Sequence, residues 1–318
     1  MANTTRTQIP AEVNNFYDKA LLMRAIPLYL HNRWGQVRDI PSKAGTKTIK
    51  FRRYSNLAAA TTALTEGVTP AGSQLSVTDI TATVAQYGDF VTVTDVVTWE
   101  SPDAVLTEAA EILGDQAGLT LDTLTRDVLH GGTNVRYANA VANRASVAAA
   151  IALADVDSAV LTLKEGLAKR MTRMVSPDTG YATTPVRPTY IGIIHPRTTK
   201  VLQALTGWNS IEKYANKADL MEGEVGTYGD VRFVETTQGK VFTGAGSGAI
   251  DVYSTLIFGM EAYGVTRVSG EAMKNIVKPL GSGGTEDPLD QRATSGWKAT
   301  HVAKILNDNF LIRIEHAV

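Results

Sequence analysis

The sequence predicts an α+β protein in which a long β arm and a long helix precede a separate α/β unit, and three observations carry that reading. Two alternating β segments, Thr46–Tyr54 and Phe90–Val97, flank a span too poor in large apolar residues to build a core of its own. The strongest amphipathic helix of the chain follows at once, from Pro102 to His130. Beyond Asp155, helical and buried-strand patterns alternate, and the chain closes in a strand.

The N-terminal stretch holds one amphipathic segment, Val13 to Leu30, interrupted at Pro27. It fits a terminal helix packed on its own domain and an arm reaching a neighbour equally well. Next comes the arm. Between residues 55 and 85 only Glu66 and Asp79 are charged, and Ala, Thr, Gly and Ser dominate. Structureless spans of that length are uncommon inside compact domains and serve as lids, binding arms or linkers. The composition lacks the high charge of disorder, so the expected state is an ordered arm stabilised by another surface.

The long helix has a strong start in Ser101-Pro102-Asp103, with Ser as cap, Pro at the first helical position and an acid at the positive dipole end. Leu106, Ala110, Leu113, Ala117, Leu121, Leu124 and Val128 then recur at steps of three and four, and Gly131-Gly132 ends the run. At 1.5 Å per residue the helix extends about 43 Å. Gly114 and Gly118 lie inside it and suggest a bend or a close contact. His130 is expected to act as a cation on the helix C-terminus.

In the α/β unit, Val156, Val160, Leu163, Leu167 and Met171 mark one face of a helix. Tyr190–Ile194 reads as a buried strand, and His195-Pro196 turns into a second helix ending near Trp208. Val231–Val234 and Ile250–Phe258 are further strands, separated by the loop Thr243–Gly248. At the end, Trp297–Leu306 and Phe310–Glu315 flank the turn Asn307-Asp308-Asn309. Phe310, Ile312 and Ile314 should face one way and Leu311, Arg313 and Glu315 the other, in a strand paired with one from the first half.

Composition removes several function classes. The 318 residues carry no cysteine, which excludes disulfides and thiolate chemistry, and the net charge of −1 offers no overall field for nucleic acid or anionic lipid. The longest apolar run, Val147–Ala154, is far shorter than the roughly 20 residues of a membrane helix. The polar N-terminus has no signal-peptide pattern, so synthesis in the cytoplasm is expected.

Reaction motifs fail individually. Around Gly239-Lys240 a phosphate loop would need Gly where Val234 stands and Ser or Thr where Val241 stands. Ser247 has Ala245 and Ala249 where a hydrolase elbow needs glycines, and Ala249 also breaks a dinucleotide fingerprint begun by Gly244 and Gly246. None of the histidines, His31, His130, His195, His301 and His316, stands at metal-ligand spacing from another. Asp155 and Asp157 fit helix capping, and Asp287–Asp290 is too sparse in ligands for calcium. No enzymatic activity, cofactor or metal is expected, with an α/β enzyme using the Gly244 loop as the alternative from another class.

One electrostatic feature remains. Lys43, Lys47, Lys50, Arg52 and Arg53 follow one another with no acid among them. A solvated strand face explains them; pairing with a neighbouring subunit's carboxylates is the alternative for an intermolecular arm. Lys47, Lys50, Arg52, Arg53 and Glu66 are the candidates for inter-subunit contact.

The order of arm, hairpin arm, spine helix, α/β unit and β return resembles the major capsid proteins of tailed double-stranded-DNA bacteriophages. Local wording is similar to the branch typified by the coat protein of phage N-four. The segments concerned are Tyr190–Pro196, Gly223–Gly226 with Val231–Thr236, Asp251–Gly259, Asp287–Leu289, Gly296–Lys298 and Ile312–Glu315. The resemblance implies the Hong Kong phage-type shell fold. Its regions would be an N-arm at 1–42, an E-loop with its base strands at 43–98, a P-domain spine helix with following strands at 99–150, an A-domain at 151–264 and a P-domain return at 265–318.

It also implies hexamers and pentamers of the chain in an icosahedral shell around packaged DNA, held without sequence-specific contacts, with each E-loop lying over an adjacent subunit. Portal, scaffolding and decoration proteins are the implied partners, and the virion the implied location. Met1 stands close before the arm, so a cleaved scaffolding segment is not expected. An encapsulin-like compartment around a cargo enzyme is the alternative within the same fold.

Overall fold

The computed structural model describes residues 30–40, 47–96, 105–173, 185–213, 220–268, 273–283 and 287–318. The N-terminal segment before Leu30, Lys43 and the helix start Ser101-Pro102-Asp103 lie outside them. The described chain begins with β1 (Gln36–Ile40), then the arm strands β2 (Thr48–Tyr54) and β3 (Val77–Thr83), then β4 (Ala85–Thr94). The spine helix α1 (Val105–Leu129) leads to β5 (Val135–Tyr137), α2 (Leu153–Glu165), β6 (Met171–Arg173), β7 (Pro185–Ile194) and α3 (Pro196–Gln203). There follow β8 (Asn209–Ser210), β9 (Glu224–Tyr228), β10 (Val231–Glu235), β11 (Val241–Phe242), β12 (Val252–Phe258) and β13 (Tyr263–Val268). The chain ends with β14 (Met273–Lys278), β15 (Arg292–Ile305) and β16 (Leu311–His316).

A nine-stranded sheet, with β5-β16-β12-β7-β10-β9-β8 as its path, forms the α/β unit. Val156, Ala159 and Leu163 of α2 pack on one side against Tyr190, Ile194, Phe233 and Ile314. On the other side Ile191, Ile193, Leu256 and Leu311 meet Leu129, at the end of α1, and Tyr263. Both faces are therefore covered. This is why every residue of β16 is buried although its side chains alternate as expected. The strand pairs in parallel with β5, from the first half of the chain, and antiparallel with β12.

Helix α2 is shorter than its apolar pattern suggested. It ends at Glu165, Leu167 sits at φ 57 with its side chain exposed, and Met171 opens β6. Sequence periodicity ran across the boundary because Met171 also points inward, packing against the far side of the sheet. At the start of α2 Asp155 accepts the Ala152 amide at 3.0 Å, the expected cap role, whereas Asp157 accepts from the Tyr228 hydroxyl at 3.1 Å. His195 caps α3, its Nδ1 accepting the Arg197 amide.

The second sheet is organised by the long strand β15. Its first part is flanked by β4 and β14, its last part by β13, which in turn carries β1. Spine helix α1 lies across one face, where Leu113, Ala117 and Leu121 pack on Trp297 and Ala299. Gly114 and Gly118 are buried and the helix runs through them without a break. The Trp297 indole donates to Gln116 on the helix at 3.1 Å.

Two buried polar knots join these parts. Glu315, with no exposed side-chain surface, receives Arg144 through both carboxylate oxygens at 2.6 and 2.7 Å and Arg313 at 2.8 Å. Near the exit of the N-terminal segment, the His31 amide and Nδ1 donate to Asp122 at 2.8 and 2.7 Å, and the Tyr263 hydroxyl donates to the His31 carbonyl. One turn along α1, Thr125 lies 2.9 Å from His301 Nε2.

His130 does not carry the charge expected of it. It stands just beyond the last residue of α1, with Nδ1 2.7 Å from the Arg126 carbonyl, but burial lowers its pKa to about 3. Removal from water outweighs the helix-end field there. Burial also lowers His301 and His316 to about 4.

Acid stability follows from these three histidines. Each is neutral when folded, so its contribution is complete above the unfolded value near 6.5 and is lost as pH falls toward about 4. Denaturant melts of the chain should show unfolding free energy dropping steadily over that window, and His301→Gln should flatten the drop. A free energy constant from pH 7 to pH 4 contradicts the assignment.

The arm has its own anchor. Phe51 is buried with Ala82 and Leu306, and a Cβ on Gly264 would come within 2.7 Å of the Phe51 ring. Phe51→Ala should cost about 3 kcal/mol locally and speed amide exchange in β2 and β3 while α1 stays protected. Gly264→Val should do the same by displacing the ring; unchanged exchange in both variants would place the anchor elsewhere.

Candidate subunit interface

The arm is a hairpin rather than a wholly irregular excursion. β2 and β3 pair antiparallel from Thr48 with Thr83 to Tyr54 with Val77, and the Val84 amide donates to the Lys47 carbonyl at 2.8 Å. The strand predicted from Phe90 begins five residues earlier, at Ala85. Thr and Asp at alternate positions hid β3, because apart from Ala82 and half-buried Ile80 its side chains are exposed and leave little apolar face to show in sequence.

Residues 55–76 beyond the hairpin are exposed throughout. Their backbone hydrogen bonds are local: Ser55 to Ser76, Thr61 to Ala59 and Val68 to Thr65. Leu57, Leu64, Val68 and Leu75 all stand in solvent, 53 to 77% exposed. A protein surface seldom leaves so many large apolar side chains on one extended segment unless another surface covers them.

The basic residues of the arm separate into groups. Arg52 stands opposite Asp79 in the hairpin register and pairs with it at 3.3 Å, both side chains well exposed. Such a pair contributes between about 0 and 1 kcal/mol. Arg52 and Arg53 line a groove of about 370 Å³ between the arm base, β1 and the end of α2, with Arg38, Lys169 and Glu261 around it. Lys47, just before β2, and Lys50, on it, are exposed, and Glu66 lies apart at the arm tip. Sequence reasoning missed Arg38 and Lys169, which reach this groove from distant parts of the chain. It held Asp79 in view without the register that sets it against Arg52.

Two further faces are open. On the outer side of α1, Glu108, Ile112 and Leu119 are exposed. On the opposite side of the slab, the β4-β15-β14 sheet presents Phe90 and Ile276, which flank Gly296 in register. The Thr243–Gly248 loop, the site of the enzyme alternative, is a tight turn that is also tied to Val147, whose carbonyl accepts the Ser247 amide at 2.9 Å. Gly244 donates to Asp251 at 2.9 Å and Gly246 to the Ile250 carbonyl at 3.0 Å.

Known proteins agree with this layout. The sequence profile of the family described as phage capsid protein matches residues 35–268. No curated sequence matches the chain. Among solved structures, the capsid of Ralstonia phage GP4 is similar at a TM-score of 0.72 and 14% identity, covering 91% of each chain. The capsid of cyanophage Pam1 follows at 0.64 and 16%, covering 91% of this chain and 93% of the other. The head of Helicobacter pylori bacteriophage KHP40 follows at 0.62 and 14%, covering 90% and 88%. The order of arm, spine helix and α/β unit is thus the Hong Kong phage-type fold, and the chain belongs to the phage capsid protein family.

Proposed function

We propose that this chain is the major capsid protein of a tailed phage, forming hexamers and pentamers of itself that close an icosahedral shell around packaged double-stranded DNA. The observation that carries this reading is the arm: residues 55–76 expose four large apolar side chains on a hairpin that is anchored, among the described residues, at its base. Within the fold, β2 to β4 act as the E-loop, α1 with the β15 sheet as the P-domain, and the α2–β12 unit as the A-domain. The arm lies over an adjacent subunit. Lys47, Lys50, Arg53 and Glu66 take part in contacts between copies, while Arg52 already has a partner in its own hairpin.

The role is structural, without catalysis or a cofactor. Portal, scaffolding and decoration proteins are its partners in the head, and the chain is made in the cytoplasm of the bacterial host. Near-zero net charge suits a lattice in which many like molecules approach one another and DNA is contained rather than gripped.

Replacing residues 56–75 with a two-residue turn, which keeps β2 and β3 paired, should leave a folded subunit of unchanged melting temperature. That subunit should form no closed shells, alone or with its scaffold, when examined by electron microscopy and sedimentation. Closed shells from the shortened chain would refute an arm that joins subunits; loss of folding would assign the arm to the subunit's own core.

A further inference from the structure

The groove at the base of the arm carries a charge imbalance that the subunit does not resolve. Arg38, Arg52, Arg53 and Lys169 border it, and Glu261 is the one acid among its lining residues. Arg52 is engaged by Asp79. The side chains of Arg38, Arg53 and Lys169 are exposed and form no ion pair among the described residues, with Glu261 or with any other acid.

Topology sets these charges around one cleft. Phe51 is anchored against Gly264, and Arg53 follows it on the same face of β2. Arg38 follows Gln36, which stands in register beside Gly264. Lys169 comes from the opposite wall, where its carbonyl accepts the Met260 amide at 2.8 Å, one residue before Glu261. Three segments distant in sequence thus bring one sign of charge to one cleft, which concentrates the field there although the chain's net charge is −1.

A second observation is Leu167, two residues before Lys169 and also lining the groove. α2 ends in a Schellman motif, the Ala168 amide donating to the Leu163 carbonyl at 2.9 Å and the Leu167 amide to the Lys164 carbonyl at 3.0 Å. The left-handed position of that motif ordinarily holds glycine, because a Cβ there crowds the backbone. Here the glycine stands one place earlier, at Gly166, and Leu167 takes φ 57 while 69% exposed. The strain brings no burial within the subunit. A leucine held in that way beside unpaired cations presents an apolar contact to whatever enters the groove.

The chemistry that fits is therefore several carboxylates close together with an apolar side chain. Nucleic acid fits less well, since a phosphate backbone gains nothing from Leu167 and is repelled by Glu261, whereas a peptide can turn an amide N–H toward that carboxylate. Nor does a second copy supply the match. Among the described residues the exposed acids without a partner, Glu66, Glu108, Glu165, Glu212 and Asp290, stand singly along the sequence. We propose that the groove is a docking site for an acidic peptide segment of a different protein, its carboxylates on Arg38, Arg53 and Lys169 and an apolar side chain on Leu167. Such a site is additional to the shell-forming role and does not depend on where the arm lies.

The probe is a fluorescein-labelled synthetic peptide alternating aspartate and leucine, titrated with the full-length chain at low ionic strength and followed by anisotropy. It should bind, and the same peptide with asparagine in place of aspartate should not. Arg53→Glu with Lys169→Glu should weaken binding about tenfold while the melting temperature holds, because both side chains are exposed. Leu167→Gly should weaken binding about threefold and raise the melting temperature by about 2 °C, since glycine relieves the left-handed position. Opposite movement of affinity and stability is a signature that a merely structural leucine does not give.

Absence of peptide binding overturns the proposal, as does binding that survives the charge reversal. Tighter binding of a short DNA duplex, indifferent to Leu167→Gly, would make the groove a phosphate contact instead. A melting temperature lowered by Leu167→Gly would show that the leucine packs on its own subunit, and the site falls. If the peptide binds free subunits but not assembled shells, and Leu167→Gly prevents assembly, a second copy covers the groove and the proposal is equally overturned.

Discussion

Everything outside the α/β unit depends on one strand. β15 binds β4, β14 and β13 by backbone hydrogen bonds, and its inward side chains are the floor on which α1 rests. Trp297 is the key to this arrangement. Its ring is buried under Leu113 and Ala117, and its indole is satisfied by Gln116, whose other end holds Asp89 on β4. Burying an indole without a partner would remove much of the gain from its large apolar area. One side-chain amide therefore ties helix, central strand and the returning strand of the arm. Because β4 continues β3 across the single residue Val84, the direction in which the arm leaves the subunit is set at this point.

How much of this was legible in sequence depended on whether a segment carried its own apolar period. Helix α1 and strands β7, β10, β12 and β16 could be read from spacing because each buries side chains against a neighbouring layer. β3, β13 and β14 could not. β3 buries Ala82 and part of Ile80 alone, and β14 is a short run with Lys274, Ile276 and Lys278 on one face and Asn275 on the other. Registers are set by pairing between distant segments, so neither the Arg52–Asp79 pair nor the row of Phe90, Gly296 and Ile276 can be obtained from any one segment. The reading of His130 as a cation failed for a related reason. Helix position is local and was read correctly, while the burial that neutralises the ring comes from chain far away.

Charge in this protein is segregated by depth rather than by overall balance. Inside, Glu315 is enclosed by Arg144 and Arg313, an arrangement whose loss of one partner would strand a buried ion, and the histidines are kept neutral. Outside, the slab formed by α1 and the β15 sheet has Glu108 exposed on its helix side, and Lys274, Lys278 and Lys298 at strand positions facing the other way. A net charge of −1 conceals that polarity. Surfaces that bind other copies need local complementarity, which a near-neutral total permits without long-range repulsion between subunits.

The arm makes sense only when counted per shell rather than per subunit. Ordering an extended segment with no core is opposed by conformational entropy of about 1 kcal/mol or more for each residue fixed. A single weak dock does not offset that loss. In the closed lattice proposed for this chain, however, each subunit would both give an arm and receive one, so every contact would be made within an assembly already held by its neighbours and incur little further loss of translational freedom. Contacts that are individually weak then remain reversible while the shell is being built and become collectively firm once it closes. A stickier arm, with more apolar surface and no charge to set its register, would bind wrongly placed copies as readily as correct ones. The sparse apolar side chains around a lone Glu66 suit that requirement for correction during assembly.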